Sequence, residues 1–149
     1  MSDDALLDLE NQLCFALDVA ARQVMKAYRP ALSALGLTHT QYIVLLVLWE
    51  WAARNESRPT VKALGDRLVL DSGTLTPVLK RMAANGLVTR VRSVSDEREV
   101  FIRLTPAGLA LKKRASCAPR SLIEHSPLRL DEIIELREQL KKLRGLFDT

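Results

Sequence analysis

Between Ala5 and about Ala34 the apolar residues Leu6, Leu9, Leu13, Leu17, Ala20 and Val24 recur at steps of three and four, the spacing of one face of a helix. Pro30 should kink or end that helix, because its ring removes a backbone donor. From Thr40 to Ala53 the residues Tyr42, Ile43, Leu45, Leu46, Leu48 and Trp49 leave almost no polar side, which predicts a helix enclosed by the rest of the domain. The polar stretch Arg54 to Pro59 reads as a loop, and Thr60 then opens a short helix with Val61, Leu64 and Leu68 on one face. Asp71 and Ser72 supply capping oxygens for the next helix, which closes at Asn85 and Gly86. Pro77 falls near enough to its start that the missing N–H should cost little.

Two helices joined by a short turn are followed by the β-like runs Leu87 to Arg92 and Glu99 to Leu104, separated by the polar stretch Ser93 to Arg98. Val100, Ile102 and Leu104 alternate with Phe101 and Arg103, as a strand with one packed face requires. The fold class expected is therefore mainly α with a small β-hairpin wing, a winged helix-turn-helix spanning about residues 60–105. Two further helices are expected, Pro106 to about Ser116 or a little beyond, and Leu130 to Phe147. The last carries a wide stripe of Leu130, Ile133, Ile134, Leu136, Leu140, Leu143 and Phe147. A lone chain of 149 residues has little core left to cover that stripe and the first helix. Residues 1–149 thus read as a single domain whose segments about 5–35 and 106–149 pair two copies as a homodimer.

Charge placement adds a partner. Residues 58–103 carry nine basic and five acidic side chains, an excess of four, whereas residues 1–57 carry four and seven. A basic middle on a helix-turn-helix points to double-stranded operator DNA. Ser72, Thr74 and Thr76 stand at the tip of the second helix, where such motifs meet base edges, with Lys80 and Arg81 on the following turn. Arg90, Arg92 and Arg98 flank the hairpin turn and suit phosphates or a narrow minor groove; Asp96 is placed to orient Arg98. Composition by itself leaves open that these are solvated charges on an exposed hairpin.

The opening residues show no secretory pattern, and no apolar run reaches the roughly 18 residues of a membrane span, so a cytoplasmic protein without a membrane partner is expected. In a reducing compartment the two cysteines, Cys14 and Cys117, are either buried filler or reactive groups. Enzyme chemistry finds little support, since there is no C-x-x-C motif, no metal-ligand cluster and no G-x-S-x-G elbow, and His39 and His125 are the only histidines. No cofactor and no metal are expected.

Asp96-Glu97-Arg98 followed by Leu104-Thr105 resembles the wing signature of the MarR family. The blocks LENQLCFAL at 9–17, YRPAL at 28–32, QYIVLLVLWE at 41–50 and LDSGTLTPVLKRM at 70–82 resemble, within it, the organic-hydroperoxide-sensing repressors. The resemblance implies a homodimeric repressor with Cys14 as the sensing residue, released from its operator when an organic hydroperoxide oxidises that thiol. It also implies that Tyr28 donates its hydroxyl to the sulfur from the partner subunit. The family's second such tyrosine falls on His39 here; a histidine keeps a donor there and, as a cation, would favour the thiolate. Cys117 stands where some members carry a second cysteine, which implies an intersubunit disulfide with Cys14 after sulfenic acid formation. A regulator responding to a small phenolic or carboxylate ligand, with Cys14 only structural, is the alternative. The loop Trp51 to Pro59 is longer than this family leads one to expect, and Val69 replaces a frequent aromatic.

Overall fold

The computed structural model of the chain describes residues 1–145; Phe147, the last position of the expected C-terminal stripe, lies outside them. Two compact units result, one of Met1–Tyr28 with Cys117–Thr149 and one of Arg29–Ser116. No single helix among the described residues is long and apolar enough to cross a membrane.

The N-terminal periodicity is divided among three elements. These are α1 (Asp3–Leu6), a 3-10 turn (Leu9–Asn11) and α2 (Leu13–Ala34). Side-chain amides explain the break: Asn11 Nδ2 donates to the Ala5 carbonyl at 2.8 Å, and Gln12 Nε2 to those of Leu6 and Asp8 at 2.6 and 3.0 Å. The carbonyls that end α1 are thus satisfied by side chains rather than by a further helical turn. Pro30 does not end α2, which runs four residues past it; its ring removes one donor near the end, where little helix remains to disrupt. The helix stops instead at Gly36, φ +71°, with Leu37 N–H donating to the Leu32 carbonyl at 2.9 Å.

Helix α3 (His39–Ala53) starts from a reciprocal cap: Thr38 Oγ1 accepts from the Gln41 N–H at 3.2 Å and Gln41 Oε1 from the Thr38 N–H at 3.0 Å. It is enclosed as its composition requires, with Tyr42, Val44, Leu45, Val47, Leu48, Trp49 and Trp51 all buried. Against it pack α4 (Val61–Leu68), α5 (Ser72–Ala84) and strand β2 (Val100–Leu104), and the antiparallel partner of β2, β1 (Val88–Arg92), packs on α5. Leu45, Leu64, Leu75, Leu79, Met82 and Ile102 are completely enclosed and form the centre of this unit. The register runs from Val88 opposite Leu104 to Arg92 opposite Val100. On the other side of β2, the Ile102 N–H donates to the Pro59 carbonyl at 2.7 Å and Thr60 bridges Phe101, so the supposed loop covers that edge.

The helix expected to stop near Ser116 continues in three pieces, α6 (Pro106–Ala110), α7 (Lys112–Ala115) and α8 (Cys117–His125). Leu111 and Ser116 between them keep right-handed helical angles. Pro119 does not interfere, because it is the third residue of α8, where a backbone N–H has little use. Helix α9 (Leu130–Arg144) buries no residue in the single chain and leaves Leu130, Ile134, Leu136 and Leu140 exposed.

Candidate nucleic-acid interface and cysteine sites

Local chemistry sets the angle between α4 and α5. Thr60 Oγ1 caps α4 through the Ala63 N–H at 3.1 Å, and Asp71 Oδ1 caps α5 through the Thr74 N–H at 2.7 Å. Of the two expected capping residues only Asp71 caps, and Ser72 is the first helical residue. The turn passes through Val69 in the left-handed conformation, φ 57° and ψ 45°, so that Leu70 N–H reaches the Gly65 carbonyl at 2.9 Å. Gly65 is needed there, since a Cβ would lie 2.6 Å from the Leu70 carbonyl oxygen. Pro77 departs from expectation: it is the sixth residue of α5, and the helix forgoes a bond to the exposed Gly73 carbonyl.

Leu75, Leu79 and Met82 turn inward at helical spacing, which leaves Ser72, Thr74, Lys80 and Arg81 exposed on α5 and Thr76 half-buried. Two hydroxyls and two cations thus share the outer face of the second helix. In the wing, Ser93 N–H donates to the Glu99 carbonyl at 2.8 Å and Glu99 N–H to the Asp96 carbonyl at 3.0 Å, closing the turn. Asp96 Oδ1 accepts from Arg98 Nε at 3.3 Å, as the spacing suggested, and the Arg98 side chain is 92% exposed. Arg92 reaches the Glu97 carbonyl at 3.4 Å. Arg90 differs from its neighbours. It shares the inward face with Val88, and its Nε is sealed from solvent without a hydrogen-bond partner.

Three supports escaped the reading of the sequence. Thr105 Oγ1 donates to the Gly86 carbonyl at 2.6 Å and accepts from the Gly108 N–H at 3.1 Å, tying the end of α5 to the start of α6. The Thr-Pro pair was a legible helix start for this one. Gly108 in turn accepts from Trp49 Nε1 at 3.0 Å and lies so close to Leu87 that an added Cβ would fall 2.1 Å from its carbonyl oxygen. Arg58 pairs with Glu99 at the base of the wing and stands 5.8 Å from the Phe101 ring centre. Forty-one positions separate that ion pair in sequence, and no local pattern announces it.

The cysteines belong to the other unit. Cys14 is the second residue of α2 and Cys117 the first of α8; both are free thiols, and both are exposed in the single chain. Tyr28, in the same unit, is half-buried, and burial pushes its phenol pKa up, so it stays protonated and able to donate. His39 opens α3 with its ring centre 6.4 Å from that of Tyr42. Burial holds its pKa below the ordinary 6.5. It is therefore neutral near neutral pH.

An enclosed helix carrying a polar, cationic second helix and an arginine-tipped hairpin defines a winged helix-turn-helix DNA-binding regulator of transcription. The chain belongs to the MarR/SarA family. Residues 26–114 match the family profile described as Transcriptional regulator SarA/Rot. Over 137 residues the chain is 44% identical to the organic hydroperoxide resistance transcriptional regulator of Bacillus subtilis, covering 92% of this chain and 90% of that one. Among solved structures it superposes on reduced AbfR bound to DNA with a TM-score of 0.78 at 34% identity, covering 99% and 100% of the two chains. On the disulfide-formed AbfR the TM-score is 0.64 at 35% identity, with coverage of 94% and 95%. AbfR is a protein of Staphylococcus epidermidis. These relatives are regulators rather than enzymes.

Proposed function

We propose that the chain is a single MarR-type domain acting as a homodimeric repressor, which senses organic hydroperoxides through Cys14 and leaves its operator when that thiol is oxidised. The observation that carries this reading is the pair of free, exposed thiols, Cys14 in the first turn of α2 and Cys117 opening α8. Sulfur attack breaks the peroxide O–O bond and takes one oxygen: with one proton from water the Cys14 thiolate becomes a sulfenic acid, oxidised by two electrons, and the hydroperoxide, reduced by two, leaves as the alcohol. The sulfenic acid then condenses with the thiol of Cys117 of the partner subunit, forming the S–S bond and releasing water. Closing that bond requires sulfurs at about 2.05 Å, and any movement this imposes on the helices is available to shift the two recognition helices out of successive grooves.

The organic-hydroperoxide name of the Bacillus subtilis relative and the existence of a disulfide form of AbfR support this reading. Exposed Leu130, Ile134, Leu136 and Leu140 on α9 support pairing through the terminal helices. In the proposal Ser72, Thr74 and Thr76 read bases. Lys80, Arg81, Arg90 and Arg92 hold phosphates, Arg98 held by Asp96 enters the minor groove, and Tyr28 and His39 donate to the Cys14 sulfur.

The test uses a duplex selected for binding by the reduced protein. Wild type, Cys14→Ser and Cys117→Ser are compared before and after stoichiometric cumene hydroperoxide, with non-reducing electrophoresis of the same samples. Wild type is expected to release DNA as a cross-linked dimer, and Cys14→Ser to stay bound. Release by Cys14→Ser would overturn the sensor assignment, and release by wild type without a cross-link would remove Cys117 from the mechanism.

A further inference from the structure

The turn of the wing, residues 93–99, is hydrogen-bonded upon itself. Ser93 N–H donates to the Glu99 carbonyl at 2.8 Å, and Glu99 N–H to the Asp96 carbonyl at 3.0 Å. The serine hydroxyls are engaged within the turn: Ser93 Oγ accepts from the Asp96 N–H at 3.3 Å and lies 3.1 Å from Ser95 Oγ. Between the two serines stands Val94, fully exposed, and no other large apolar side chain among the described residues is exposed to the same degree. Single exposed apolar residues are common on protein surfaces, so exposure by itself assigns nothing. The position of Val94 is informative, because the same turn holds out Arg98, whose side chain is 92% exposed.

Charge alone does not seat this turn in a groove, since it holds three acids against one base. Asp96 pairs with Arg98 and Glu99 with Arg58, while Glu97 pairs with no cation among the described residues. The Arg98 guanidinium can follow the negative potential of a minor groove, yet the turn as a whole gains little from the release of counterions. A contact that does not depend on charge is what Val94 has to offer. The walls of a minor groove, about 6 Å apart in B-form DNA, match it, because they are lined by the C–H groups of deoxyribose.

We propose that Val94 is a DNA-contacting residue, packing its isopropyl group against deoxyribose in the minor groove beside Arg98. The inference rests on the operator-binding reading above and adds to it an apolar anchor at the wing tip. Such an anchor has its own energetic signature. Burying methyl groups displaces water but no cation, so its contribution is independent of salt, whereas an arginine in the groove contributes through the counterions it replaces.

The test measures binding of the full-length, reduced protein to the selected duplex by fluorescence anisotropy over a range of salt concentrations, for wild type, Val94→Ser, Val94→Ile and Arg98→Ala. Val94→Ser is expected to weaken binding roughly three- to tenfold at every salt concentration, the worth of burying part of a valine side chain, and to leave the slope of log K against log salt unchanged. Val94→Ile, which keeps the apolar surface, is expected to bind within about twofold of wild type. Arg98→Ala is expected to make the slope shallower by about one. If Val94→Ser binds as wild type does while Arg98→Ala is weakened, the apolar contact is overturned and the operator reading stands. A weakened Val94→Ser with an altered slope also overturns it, since the loss would then be electrostatic. If neither variant loses affinity, the wing does not enter the groove, and the proposal falls together with that part of the operator reading.

Discussion

The carboxylate of Asp96 holds Arg98 twice, Oδ1 accepting from its backbone N–H at 3.0 Å and from Nε at 3.3 Å. The terminal nitrogens remain available at the tip of the wing. With an arginine this exposed the pair adds little to stability, and its use is orientation. Arg98→Ala is expected to weaken operator binding by about 1–3 kcal/mol, measured by fluorescence anisotropy at fixed salt. Asp96→Ala should cost less and, in the Arg98→Ala background, nothing further. Additive losses would show that Asp96 acts by another route.

Val69 is a β-branched residue in a left-handed conformation and is 71% exposed, so its side chain gives little burial in return for the strain. Relief of a left-handed residue is worth roughly 1–2 kcal/mol, partly offset by the entropy of glycine. Val69→Gly should therefore raise the urea midpoint, with a gain of about 1 kcal/mol. Gly65→Ala, forced against the Leu70 carbonyl, should lower it by about 1–3 kcal/mol.

Arg58 joins the segment before α4 to the base of the wing through Glu99 and Phe101. The arginine is 62% exposed, so Arg58→Gln should change global stability by less than about 1 kcal/mol. The local effect is larger in kind: the Ile102 N–H bond to Pro59 loses its outer brace. Hydrogen exchange at the Ile102 amide should quicken, with no comparable change in the enclosed residues of α3.

His39 is half-buried and its desolvation depresses its pKa, so the unfolded chain takes up its proton before the folded one as pH falls. Its contribution is intact above the unfolded value of 6.5 and is lost as pH drops below it toward the folded value. Stability measured by urea between pH 7 and 5 should therefore decline less steeply in His39→Phe than in wild type. Equal slopes would show that the imidazole titrates alike in both states.

The helix-turn-helix and the wing were legible because each rests on local chemistry: Thr60 and Asp71 as caps, Gly86 as a stop, and the alternation of Val100, Ile102 and Leu104. The inward face of Arg90 was legible too, since a period of two places it with Val88, although its charge suggested the opposite. Proline misled at Pro30 and Pro77, because its effect depends on how many turns lie on each side. The brace at Arg58 and the approach of Gly108 to Leu87 join distant segments, and composition carries no trace of them. The apolar stripe of α9 was visible, and among the described residues it leaves Leu130, Ile134, Leu136 and Leu140 exposed.

A two-stranded hairpin has two outer edges, and Pro59 with Thr60 occupies that of β2. No further strand pairs with β1 among the described residues. That remaining edge is short, five residues long, and carries Arg90 and Arg92. Short length and positive charge both oppose strand addition by another molecule. Two copies meeting at this edge would thus repel each other at the very position by which β-hairpins tend to aggregate.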